Sequence, residues 1–128
     1  GTPAERALAA YIADAQPNVV NAAGETTFVE FASIIRDALA VICGNTAATH
    51  VASAVGTPVV ELFAPTIPAE RFHPWMVPHV LLGDQQAPCR GCRSRVCPLE
   101  DQPCLAVVTV DDVIEALRTL ILVVREVA

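Results

Sequence analysis

The sequence has no lysine. Its eight basic residues are all arginine, set against fourteen Asp and Glu for a formal net charge of −6. Scattered arginines on an acidic chain do not form the basic patch that general nucleic-acid or membrane-surface binding needs. No apolar run reaches the roughly 20 residues of a transmembrane helix. The first residues do not read as a signal peptide. There is no internal repeat and no low-complexity tract. No Gly-rich phosphate loop, Ser-His-Asp set or close pair of carboxylates occurs, so none of these carries the chemistry. Glu61 sits in an apolar run and Glu70 in a Pro-rich loop, while Glu5, Glu30, Asp111 and Asp112 fit helix-capping positions.

What is present is a core. The chain is 53% apolar over 128 residues, enough for about one domain. Its centre is LAVICGNTAATHVASAVGTPVVELF, Leu39 to Phe63. Leu39 to Cys43 reads as a short buried strand, and Thr46 to Val55 as a helix. Asn45 or Thr46 caps that helix, Gly56 suits its C-terminal stop, and Pro58 to Phe63 is again strand-like. Strand, helix and strand with short connections predict a parallel βαβ unit. The Cys43–Thr46 loop then lies at the carboxyl end of a strand and the amino end of a helix. Ligands bind there in open α/β sheets, and unpaired N–H groups offer a seat for phosphate.

Flanking this unit, Thr2-Pro3-Ala4-Glu5 is a capping box that opens a helix to Ala15, with Leu8, Tyr11, Ile12 and Ala15 on its apolar face. Val19 to Ala23 is predicted as a short strand. Thr27-Phe28-Val29-Glu30 opens a helix to about Ala38, with Phe28, Phe31, Ile34 and Ile35 inward. Ala64 to Pro78 reads as an ordered, Pro-stiffened loop, followed by a strand at His79–Leu82. A Cys-rich loop occupies 84–105, and Thr109 to Asp112 caps a last helix to about Glu126. The pattern predicts an α/β fold, a parallel sheet with flanking helices. It opens on a helix with no preceding strand, so we expect a piece of a longer protein. Exposed sheet edges and the apolar Leu120–Val124 run make a homodimer of the piece an option.

Three groups can carry chemistry. Asn45, Thr46 and the N–H groups after them can bind phosphate or sugar oxygens, with His50 near the same mouth. A plain capped turn is the competing reading. Thr66 leaves the neighbouring strand and can reach the same ligand. Arg71 could neutralise a phosphate and His73 is a weaker candidate, but the sequence favours a Pro-stiffened loop with Arg71 solvated. Cys89, Cys92, Cys97 and Cys104 form C-x2-C-x4-C-x6-C. This spacing admits a structural zinc, an iron–sulfur cluster, two disulfides or four free thiols. Zinc is the first of these by the C-x2-C spacing. Cys43 reads as a small apolar strand residue.

The run CGNTAATHVASAVGTPVVELFAPTIPAERFHP resembles the C-terminal signature of glycosyltransferase family 9, the ADP-heptose:lipopolysaccharide heptosyltransferases. That signature reads approximately N-D-T-G-P-x-H-x-A-A-A-x-G-x-P-V-V-x-L-F-G-P-T-x-P. GTPAERALAAYI resembles the family's G-x-x-x-E segment, NAAGETTFVEFASIIRDA its L-A-G-x-T-x-L-x-E-L-A-x-L-I-x-x-A stretch, and PCRGCRSRVCPLEDQPCLAVVTVDDVIEAL the Cys-bearing tail of many members. The resemblance implies the C-terminal, donor-binding half of a GT-B fold, a Rossmann-like domain truncated at its N-terminus. The donor would be a nucleotide-diphosphate sugar of the ADP-heptose kind and the acceptor a glycan or glycolipid. Transfer would be inverting and need no metal, with the base in a missing N-terminal domain. The intact protein would work in the cytoplasm, or peripherally at the inner face of the membrane. By position, Thr46, the Ala47 backbone and His50 would line the diphosphate site and Glu5 would lie near the nucleoside. Three departures stand out. Asn45 replaces the family Asp that faces the donor sugar, Ala47-Ala48 replaces Gly-Pro, and the family's donor-binding Lys has no counterpart. The competing reading is a non-catalytic nucleotide- or sugar-binding module, or a metal-stapled interaction module.

Overall fold

The computed structural model describes the backbone of residues 1–127 and the side chains of residues 1–124. The chain forms two compact units, residues 1–33 and 34–128.

In the first unit, Thr2 and Glu5 close the expected capping box. The Thr2 N–H donates to Glu5 Oε2 at 2.6 Å and the Thr2 hydroxyl to the same oxygen at 2.9 Å. A 3₁₀ turn at Pro3–Glu5 leads into α1, Arg6–Ala15. The apolar face of α1 is not covered within this unit; Tyr11 is 77% exposed. The predicted strand at Val19–Ala23 does not form. Its backbone groups are spent on local bonds: Val19 N–H on the Gln16 carbonyl, Ala23 N–H on Asn21 Oδ1, and the Ala23 carbonyl on Arg6 Nη1. A strand needs a neighbouring ladder, and this segment has none among the described residues. Thr27 and Glu30 form a second box at the start of α2, Phe28–Asp37, with Thr27 N–H donating to Glu30 Oε2 at 2.7 Å. Of the four residues expected inward on α2, Ile35 is buried, whereas Phe28 is 71% exposed.

The second unit is built on β1 (Val41–Gly44), β2 (Val59–Leu62) and β3 (His79–Leu82). The strand order is β1-β2-β3 and both pairings are parallel, as the βαβ reading requires. Helix α3, Ala47–Val55, connects β1 to β2 and stops at Gly56, whose φ of 83° is the left-handed cap predicted for it. The Thr57 hydroxyl then donates to the Ile35 carbonyl at 2.8 Å. A short α4 (Ala69–Phe72) and α5 (Pro103–Ala106) precede α6, Val110–Val127. Thr109 and Asp112 cap α6 as expected, with Thr109 N–H on Asp112 Oδ2 at 2.8 Å.

The two faces of the sheet differ in chemistry. On one, Val60 packs with Ala116 and Leu120 of α6, flanked by Val80, Leu82, Val113 and Leu117. On the other, Glu61 meets Thr49 of α3. The apolar end of α6 is split: Leu120 is buried, while Leu122, Val123 and Val124 are exposed. No helix among the described residues is long and apolar enough to cross a membrane.

Candidate functional site

The site grows from the end of β1. Gly44 ends the strand and Asn45 turns the chain. Thr46 takes an extended conformation, φ −143° and ψ −178°, and caps α3. Its Oγ1 accepts from the Ala48 N–H at 3.4 Å, a loose contact that leaves the hydroxyl hydrogen free to donate. The Ala47 N–H at the helix start has no acceptor one turn back. Thr46, Ala47 and His50 are exposed and Asn45 is half-buried. The turn therefore presents a hydroxyl, a main-chain donor and an imidazole at the positive end of a helix, a set suited to an anion.

Beneath the turn lies a feature that the sequence reading passed over. Glu61 is 0% exposed. Its Oε1 accepts from the Thr49 hydroxyl at 2.9 Å, and its Oε2 is buried with no partner. Burial pushes this carboxyl upward from the usual carboxylate range. The Thr49 hydrogen bond and the charges of His50, His79 and His73 pull the other way. Cys43, paired across the ladder with Glu61, lies with its Sγ 3.3 Å from Thr49 Oγ1. Burial pushes the Cys43 thiol up, and the Glu61 charge adds to this. His73 and His79 stack with ring centroids 5.0 Å apart. Their Nδ1 atoms meet the Pro74 and Val77 carbonyls at 2.9 Å each. A carbonyl can only accept, so both Nδ1 atoms carry the hydrogen, and neither Nε2 atom has a hydrogen-bond partner among the described residues. The available signal for Glu61 was an acid inside PVVELF, a run otherwise fit for a central parallel strand.

The remaining expected residues fall elsewhere. Thr66 follows β2 but lines a cavity of about 300 Å³ together with Cys89, Cys92, Cys97 and Cys104. The Arg93 N–H donates to its carbonyl at 3.1 Å, tying the Cys loop to the segment after β2. The topology thus gathers all four cysteines around one cavity, as free thiols. Burial pushes the Cys104 thiol up, and the neighbouring Cys89, Cys97 and Cys92 reinforce it. Among the described residues, no three His, Cys, Asp or Glu side chains are placed to hold a metal ion together. Arg71 is exposed on α4. Glu5 belongs to the first unit, where the Thr2 hydrogen bonds occupy one of its oxygens and hold its carboxyl below the usual range. A larger cavity of about 580 Å³, not foreseen from the sequence, is lined by Pro65, Ile67, Glu70, Gln86 and Arg90.

A family model described as glycosyltransferase family 9 (heptosyltransferase) matches residues 1–102. The chain is also similar to the crystal structure of a glycosyl transferase family 9 protein from Veillonella parvula DSM 2008. The TM-score is 0.70 at 20% identity, over 95% of this chain and 35% of that one. The likeness to this structure speaks to the fold, and the chain spans only that share of the other protein's length. No curated protein matches the chain. By the match over residues 1–102, the chain belongs to glycosyltransferase family 9.

Proposed function

We propose that this chain is the donor-binding part of a glycosyltransferase. The intact protein would transfer a sugar from a nucleotide diphosphate to a hydroxyl of a glycan or glycolipid, in the cytoplasm or at the inner face of the membrane. One observation supports this reading above the others. The β1–α3 turn carries the family's signature, and its Thr46 hydroxyl and Ala47 N–H stand exposed at the start of α3. In an inverting displacement the acceptor oxygen attacks the anomeric carbon while the bond to the diphosphate breaks. Negative charge then grows on the leaving oxygen. Donors already aimed at that position lower the barrier without reorganising. Thr46, Ala47 and His50 take this role, and Asn45 faces the sugar. The general base comes from outside this chain, and the transfer step needs no metal.

A non-catalytic nucleotide-binding module is the second reading. It is favoured by Asn45 and Ala47-Ala48, where the family pattern has Asp and Gly-Pro.

Titrating the chain with ADP, UDP and GDP under NMR observation tests both readings. At least one nucleotide is expected to shift the amide signals of residues 45 to 50. Thr46→Ala and His50→Ala are each expected to weaken that binding about tenfold, the loss of one hydrogen bond to a charged group. A folded sample whose α3 turn responds to no nucleotide would remove the donor-site assignment. Binding by an intact protein that transfers to no acceptor would favour the second reading.

A further inference from the structure

Among the described residues, Glu61 is the only carboxylate fully removed from water. It lies on the central strand, with Cys43 of β1 and Leu81 of β3 as its ladder neighbours. Its one partner, Thr49 Oγ1, has two further neighbours. The Gly44 carbonyl is 3.2 Å away and Cys43 Sγ is 3.3 Å away.

A hydroxyl has one hydrogen to give. The Gly44 carbonyl and an ionised Glu61 both only accept, so they compete for it. Against a carboxylate the carbonyl loses, because the charge-assisted bond is the stronger. When Glu61 carries a proton the order reverses. The acid donates to Thr49 Oγ1, and the Thr49 hydrogen is released to the Gly44 carbonyl. That carbonyl is not used by β2. In a parallel ladder alternate residues turn both backbone groups to the same neighbour, and Val41 N–H bonds the Pro58 carbonyl. Val41 and Cys43 therefore face β2, and Gly44 faces away. Gly44 is also the last residue before Asn45 and Thr46, the turn to which we assign the donor diphosphate.

We infer that Glu61, acting through the single hydroxyl hydrogen of Thr49, sets whether the Gly44 carbonyl at the head of the diphosphate-binding turn is held in place. Glu61 is thus a positioning residue for that turn, and the assignment of a donor role rests on the proposed function above. Protonated, it ties the turn and places no charge beneath the anion. Ionised, it releases Gly44 and sets a negative charge under the same site. Both effects favour diphosphate binding with the acid neutral. The titratable groups facing Glu61 are Cys43 on β1, His50 on α3, His79 on β3 and His73 after α4. Burial keeps Glu61 protonated to higher pH than an ordinary carboxylate, and the three imidazoles oppose this when charged.

The test is an NMR pH titration of the full chain, following the Glu61 side-chain carboxyl carbon, the Gly44 carbonyl carbon and the Asn45 amide nitrogen. The three signals are expected to share one midpoint. In Glu61→Gln, which cannot ionise, the Gly44 and Asn45 signals are expected to stay near their acid positions. Thr49→Ser keeps the hydroxyl and is expected to keep the shared midpoint, which preserves the test should the Gln variant fold poorly. An ADP titration runs alongside. The ratio of wild-type to Glu61→Gln dissociation constants is expected to rise about tenfold as pH passes the midpoint, while histidine and phosphate titrations cancel in the ratio. A Gly44 signal that ignores the Glu61 transition overturns the inference. So does one that titrates unchanged in Glu61→Gln, which would assign the effect to the histidines. A shared midpoint with no ADP binding at any pH supports the coupling and removes the donor assignment instead.

Discussion

Thr49→Val is expected to cost about 3 kcal/mol of stability at neutral pH, and only about 1 kcal/mol in acid. Valine keeps the shape of threonine, so packing changes little and the hydroxyl is what is lost. Glu61 then has no hydrogen bond at all, since its other oxygen is already unpartnered. A buried polar group left unsatisfied costs more than the hydrogen bond itself contributes, and a charged one costs most. The pH dependence follows from the direction of the shift. Burial raises the Glu61 carboxyl in the folded chain above its unfolded value. Its contribution is fully present below the ordinary carboxylate range and is lost as pH rises through the raised folded value. Thr49→Val removes the interaction that pulls that value down, so the loss extends to higher pH. Urea unfolding at acid and neutral pH measures the difference. Glu61→Leu placed on top of Thr49→Val is expected to recover most of the neutral-pH loss, because both polar partners are then gone. Equal losses at both pH values, or strict additivity in the double variant, would show that Glu61 is not the group responsible.

Gly83→Ala is expected to destabilise the second unit by about 3 kcal/mol or more. Gly83 has φ +124°, a conformation L residues rarely adopt. A Cβ added there would sit 2.6 Å from the Phe63 carbonyl oxygen and 3.1 Å from that of Cys104. Both are backbone atoms, so neither can rotate aside. The same corner carries the bonds that dock the Cys loop: Asp84 N–H to the Cys104 carbonyl at 2.8 Å, and Gln85 Nε2 to the Phe63 carbonyl at 2.8 Å. Moving these oxygens loosens the wall behind Cys104, which is buried. Faster labelling of Cys104 by a thiol reagent should therefore accompany the lower unfolding midpoint. Gly56→Ala serves as the comparison. Its φ is +83° but nothing lies within 4 Å of the added carbon, so only the backbone term of about 1 kcal/mol remains. Equal losses at the two glycines would remove the steric explanation.

Several of these arrangements were legible in the residues themselves. Thr2 with Glu5, Thr27 with Glu30, and Thr109 with Asp112 each close a helix start as their spacing predicts. Gly56 stops α3, and the short connections make β1 and β2 parallel. The Thr46 cap and the exposed α3 turn follow from the same short stretch. These features need partners only a few residues away, so the local sequence contains both halves of each interaction.

The rest depended on what stands opposite. Val19–Ala23 has strand composition, but no ladder among the described residues reaches it and its own turns take its backbone groups. Phe28 has the spacing of a buried face, yet a face is buried only where something covers it. Thr66 and the cysteines meet around one cavity because the loop after β3 folds back onto the segment after β2. Glu61 is the clearest case. The sequence by itself determined the helix caps, the parallel βαβ unit and the exposed turn at the start of α3. Only the tertiary structure decided that an acid would sit sealed beneath that turn with one hydroxyl for company. Burial and hydrogen-bond competition depend on how α3 packs on β1 and β2, which the order of residues along Leu39–Phe63 does not state.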